Sequence, residues 1–159
     1  MKWLTALFLV GISCFHGACA QRASLNPPDS AIAHFNWGID YANRGELDQA
    51  ITEFKLAIKR DVRWAKPYYN LGVAYSKKEK WNHALVAWKK TVYIDPNYAN
   101  AHYNLARAYA RGNQRDLSLT HLRQAVSLDK KFFEAAQSDQ NFDTIRKSEE
   151  FQEFMRSNR

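Results

Sequence analysis

The stretch Lys66-Pro67-Tyr68-Tyr69-Asn70-Leu71-Gly72-Val73-Ala74-Tyr75 decides how this chain folds, because its pattern returns 34 residues upstream and 34 residues downstream. Tyr41, Tyr75 and Tyr109 are related by that step, and so are Asn36, Asn70 and Asn104. Gly38, Gly72 and Ala106 form a third series, Ala50, Ala84 and Ser118 a fourth, and Phe54, Trp88 and Leu122 a fifth. Self-similarity at a fixed period of this size marks an array of stacked supersecondary units.

Working outward, apolar residues at helical spacing fall into pairs of segments. They predict helices over 31–44 and 47–60, 65–78 and 81–94, and 99–112 and 115–128. Asp29 or Ser30 is suited to cap the first of these. Gly45 and Gly112-Asn113 stand in turns within pairs. Asp95 cannot stay helical in front of Pro96, so the chain reverses there. The small residues Gly38, Gly72 and Ala106 are expected to let Ala50, Ala84 and Ser118 on the paired helix approach closely. Tyr41, Tyr75 and Tyr109, with Phe54, Trp88 and Leu122, are expected to fill the wedge between neighbouring pairs. No single pair buries its apolar face alone, so stacking makes the core.

Over residues 31–132 the chain resembles the tetratricopeptide-repeat family, with repeats at 31–64, 65–98 and 99–132. The middle repeat matches best, through Leu71, Gly72, Tyr75, Ala84, Trp88 and Pro96. The first departs at Val62, where the family usually has Pro, and the third carries Ala106, Ser118 and Lys130 at the Gly, Ala and Pro positions. The resemblance implies an all-α, right-handed solenoid of three helix pairs. Beyond Phe132 the register is lost, and residues 133–159 are expected to close the open end. Ser148 is suited to cap a helix there, with Phe142, Ile145, Phe151 and Phe154 covering the third repeat.

The N-terminus carries a different message. Lys2 precedes the apolar run from Trp3 to Phe15, followed by Ala18-Cys19-Ala20, an export signal with an A-x-A cleavage pattern. Residues 21–30, with Pro27-Pro28, make a flexible leader. Both cysteines of the chain, Cys14 and Cys19, lie in the signal, so the mature protein is expected to lack thiol chemistry. The alternative is a lipoprotein acylated at Cys19, although His16 stands where such signals normally have an aliphatic residue. Both readings place the mature protein outside the cytoplasm, in the periplasm, secreted, or anchored at the envelope.

The sequence offers no Gly-rich phosphate loop, no C-x-x-C and no converging cluster of His, Cys and carboxylates. Neither an enzyme nor a cofactor or metal site is expected. His34 and His102 share one repeat position, which points to helix packing. Charge is uneven along the chain. The formal net charge is +7, and the second and third repeats each hold six basic against two acidic residues, whereas the first balances and the tail is net acidic.

The resemblance also implies that the first helix of each pair lines a concave groove for a segment of another protein. On that face the expected binding residues are Phe35 and Asn36, then Lys66, Tyr69, Asn70 and Lys77, then Tyr103, Asn104, Arg107 and Arg111. Three amides in register suit a peptide backbone, and the cations suit carboxylates. The aromatics are equally placed to belong to the core between repeats, and the amides to bond a neighbouring helix. The chaperone-binding members of the family place Lys on the first repeat, where this chain has Phe35 and Ile39, so a chaperone-tail receptor is not expected. The leading reading is a non-enzymatic adaptor holding an acidic or extended protein segment. The alternatives are a structural subunit of an envelope assembly, self-association included, and, less favoured, an anionic-polymer binder. Nucleic acid is not an expected partner.

Overall fold

The repeats expected from the sequence appear as three successive helical hairpins in a computed structural model that describes residues 29–157. The expected signal and most of the leader lie outside those residues. The pairs are α1 (Ala31–Asn43) with α2 (Leu47–Arg60), α3 (Ala65–Lys77) with α4 (Trp81–Ile94), and α5 (Ala99–Arg111) with α6 (Arg115–Leu128). A short helix α7 (Lys131–Ser138), a 3-10 turn (Gln140–Phe142) and a final helix α8 (Glu149–Ser157) follow. The fold is an all-α solenoid. No helix among the described residues is long and apolar enough to cross a membrane.

Local chemistry sets the helix ends. Ser30 is the cap of α1, its Oγ accepting from the Ala33 amide at 3.1 Å. Asp29 turns instead to Arg60 and His34, tying the start of the array to α2. Ser148 caps α8 through the Phe151 amide at 3.3 Å. Within each pair the turn passes through one left-handed residue, and these too are 34 apart: Gly45 (φ 78°), Glu79 (φ 59°) and Asn113 (φ 54°).

The small-residue positions have a sharper role than expected. A Cβ added at Gly38 would lie 2.5 Å from the Phe54 ring, and one at Gly72 would lie 2.4 Å from Trp88 Nε1. The ring of the second helix therefore lies directly on the backbone of the first. In the third pair Ala106 carries a Cβ, and the opposing residue is the smaller Leu122, both fully buried. There Ser118 donates to the Ala106 carbonyl at 2.9 Å, so the expected close approach of that pair is present as well.

Successive pairs are joined by aromatic contacts, tilted at the first joint and stacked at the other two. Phe35 meets Trp64 with ring centroids 4.7 Å apart, Tyr69 meets Tyr98 at 4.9 Å, and Tyr103 meets Phe132 at 4.8 Å. Both members of each pair advance by 34 residues, so one joint is used three times. The last joint docks α7, and Phe142, Ile145, Phe151 and Phe154 are all buried against the third repeat. The C-terminal segment thus completes the core where a fourth repeat would otherwise stack.

Candidate peptide groove

The expected groove residues sit on α1, α3 and α5, yet their side chains meet different fates. On α1, Asn36 is exposed and Phe35 is half-buried in its joint with Trp64. On α3, half-buried Asn70 donates to the Lys66 carbonyl of its own helix at 3.0 Å, and its side-chain oxygen accepts no hydrogen bond among the described residues. Lys66 and Lys77 are exposed, with no ion-pair partner among the described residues. They are eleven residues apart, which is about 16 Å along a helix.

On α5 the same positions are already engaged. Tyr103 is buried, stacks on Phe132, and donates its hydroxyl to Asp139 Oδ2 at 2.9 Å. Burial and the neighbouring Asp139 carboxylate push that phenol's pKa well up. Asn104 is also buried, donating to the Tyr69 hydroxyl at 3.5 Å and accepting from Arg107 at 3.2 Å. Arg107 Nε lies 3.0 Å from Asp139 Oδ2. Arg111 stacks 4.4 Å over the Trp81 ring and reaches Asn141 at 3.5 Å.

Asp139 is the residue that the sequence reading missed. Its other oxygen accepts from the Asn141 amide at 2.9 Å and the Asn141 side chain at 2.6 Å. Burial alone would raise its pKa, but these donors, the Arg107 charge and the Tyr103 hydroxyl outweigh it and hold the carboxylate below its ordinary value. A polar chain thus runs Tyr69–Asn104–Arg107–Asp139–Tyr103 across α3, α5 and the C-terminal segment. Of the ten expected residues, Tyr69, Tyr103, Asn104 and Arg107 serve this internal chain. The surface left open toward a partner comprises Asn36, Lys66, Asn70 and Lys77, with the outer faces of Phe35 and Tyr69.

His34, His102 and His121 divide likewise. His34 lies between Glu53 (2.7 Å) and Asp29 (3.2 Å). Burial opposes its charge, but hydrogen bonds to the two carboxylates prevail and its pKa is raised. At the equivalent place His102 Nε2 lies 2.9 Å from the Pro96 carbonyl, which can only accept, so that nitrogen carries the proton. Its Nδ1 then accepts from His121 Nδ1 at 3.0 Å. Burial, His102 and Lys89 push His121 down to about 4. No group of three or more metal-binding side chains converges among the described residues.

Models of the tetratricopeptide repeat match residues 65–98 and 99–132, the second and third helix pairs. It is a tetratricopeptide-repeat protein. Among solved structures it is similar to a crystal structure of MamA, with 21% identity over 82% of this chain and 75% of that one, at a TM-score of 0.70. A second MamA crystal structure shares 27% identity over 65% of this chain and 56% of its own length, at a TM-score of 0.60. The second repeat domain of Spaghetti (RPAP3), bound to the HSP90 peptide SRMEEVD, shares 20% identity over 65% of this chain and 95% of that one, at a TM-score of 0.61. No curated protein matches the sequence.

Proposed function

We propose that this tetratricopeptide-repeat protein is a non-catalytic adaptor outside the cytoplasm, holding an extended acidic segment of another protein across α1 and α3. The observation that carries this reading is the pair Lys66 and Lys77, exposed and without acid partners among the described residues, flanking the half-buried Asn70. The roughly 16 Å between them is the reach of about five residues of extended chain. The partner segment therefore carries two carboxylates about five residues apart, with apolar side chains toward Phe35 and Ile39. Peptide capture by a similar fold supports the class: the Spaghetti domain holds SRMEEVD, in which three of seven residues are acidic. Placement outside the cytoplasm rests on the export-signal pattern read in the first twenty residues.

The test compares wild type with Lys66→Glu/Lys77→Glu in co-purification from intact cell envelopes and in peptide binding. Arg107 is unsuited as a target because it holds Asp139. The reading expects the double variant to keep its helicity and lose at least roughly tenfold in affinity for the partner, with wild-type binding weakened by added salt. Undiminished recovery of the same partner by a folded variant would sink the groove assignment. The structural-subunit reading would then gain, with the outer faces as its surface.

A further inference from the structure

The middle repeat differs from its neighbours at one cross-helix position. In the first pair Glu53 reaches across to His34, and in the third His121 reaches across to His102. In the second the same two positions hold Ala87 and Tyr68. Alanine does not cross the gap, and the tyrosine hydroxyl has no hydrogen-bond partner among the described residues. Leu71 also stands where the first pair has the larger Trp37. The outcome is an open cleft of about 530 Å³ between α3 and α4, walled by Tyr68, Leu71, Tyr75, Val86 and Ala87, with Lys90 also lining it. Its size lies within the roughly 300–1,000 Å³ of ordinary ligand clefts.

We propose that this cleft is a second binding site, separate from the concave face, which seats one aromatic or branched aliphatic side chain of an acidic peptide segment. The walls supply the apolar part of that chemistry. The Tyr75 and His83 rings lie 5.0 Å apart, and Val86 is 69% exposed, costly for an apolar group facing water alone. The charge around the cleft supplies the rest. Lys90 lines it, Lys55 Nζ lies 5.8 Å from the Tyr75 ring centroid, and the repeat as a whole has a formal charge of +4. Asp61 acts on the Tyr68 end of the cleft, so a bound carboxylate is directed to Lys90 and away from that end. None of the lining residues belongs to the groove set, so the site stands whether or not the groove assignment does.

The experiment is a titration of the full-length, ¹⁵N-labelled chain with N-acetyl-Glu-Phe-Glu-amide, following backbone amide shifts. The expected result is saturable shifts at Tyr68, Leu71, His83, Val86 and Lys90, with a dissociation constant of about 1 mM or tighter. Two variants close the cleft in different ways. Ala87→Leu fills it, and Val86→Glu repels the peptide from an exposed position where folding is not at stake. Each is expected to abolish the shifts, whereas Lys66→Glu/Lys77→Glu leaves them intact. Shifts confined to α1 and the Lys66–Lys77 face would overturn the cleft and favour the groove alone. Absence of saturable shifts, or shifts that persist in folded Val86→Glu, would overturn it as well.

Discussion

Single residues in this array are best understood by comparing the three copies of each position. Of the left-handed turn residues Gly45, Glu79 and Asn113, only glycine enters that region freely. Glu79→Gly is therefore expected to stabilise the protein by about 0.5–1 kcal/mol, seen as a higher urea midpoint at unchanged slope. Asn113→Gly gains less, because asparagine tolerates the conformation. A second comparison concerns the ring lying on Gly72. Gly72→Ala drives a methyl into Trp88 and is expected to cost about 1–3 kcal/mol. Pairing it with Trp88→Leu rebuilds the Ala106–Leu122 arrangement, so the double variant should lose less than the two single losses added together. Strict additivity in that cycle would mean that the two positions do not share the space. The sequence announced Gly45 and Gly72 by residue type. It was silent on Glu79, because a glutamate carries no mark of the turn it occupies.

Elements are tied by side chains whose legibility depended on repetition. The helix bounds were readable to within a residue because the apolar period recurs three times. The joint residues Trp64, Tyr98 and Phe132 also recur at 34, but they fall at helix starts and turns, outside the apolar stripe that guided the reading. Asp139 could not be found by period at all, since it occurs once and meets Arg107 only after the chain has turned back. The histidines make a prediction at this scale, because each bridges two helices. His121 has its folded pKa lowered to about 4 against 6.5 in the free side chain. Its contribution is present above 6.5 and is lost as pH falls below that value, since the unfolded chain binds the proton first. His34, with a raised pKa, works the other way: its contribution is full below 6.5 and is lost as pH rises through its folded pKa. The two partly cancel in wild type, and a variant separates them. Relative to wild type, His121→Gln should gain roughly 1 kcal/mol between pH 7 and pH 5, a figure discounted because His121 is partly exposed. Melting curves of both proteins at the two pH values provide the check. Parallel pH dependences would show that the His102–His121 contact does not govern ionisation there.

For the molecule as a whole, the two ends of the solenoid differ in how they are finished. At the C-terminal end Phe132, Phe142, Ile145, Phe151 and Phe154 are all within 6% of full burial. At the other end of the described residues Ile32 is 65% exposed, and the start of α1 is fastened chiefly by Ser30, Asp29 and His34. In a stacked array stability is close to a sum of pair stabilities and nearest-neighbour joints. The joints here are alike in kind, so the difference between the ends should set the order of opening. Native-state hydrogen exchange is expected to show α1 and α2 exchanging through a lower-energy opening than α5 and α6. Phe132→Ala removes the last joint, at a cost of roughly 3–5 kcal/mol concentrated at the C-terminal end. In that variant α7 and α8 should become the first elements to open, while protection of α3 and α4 against local opening changes little. Equal loss of protection in every helix would instead mean that the array opens as one cooperative unit, with the joints too strong to separate. Either result bears on partner capture. In a graded array the groove on α1 and α3 borders the least stable pair, so a segment bound there would raise the protection of α1 by more than that of α5 or α6.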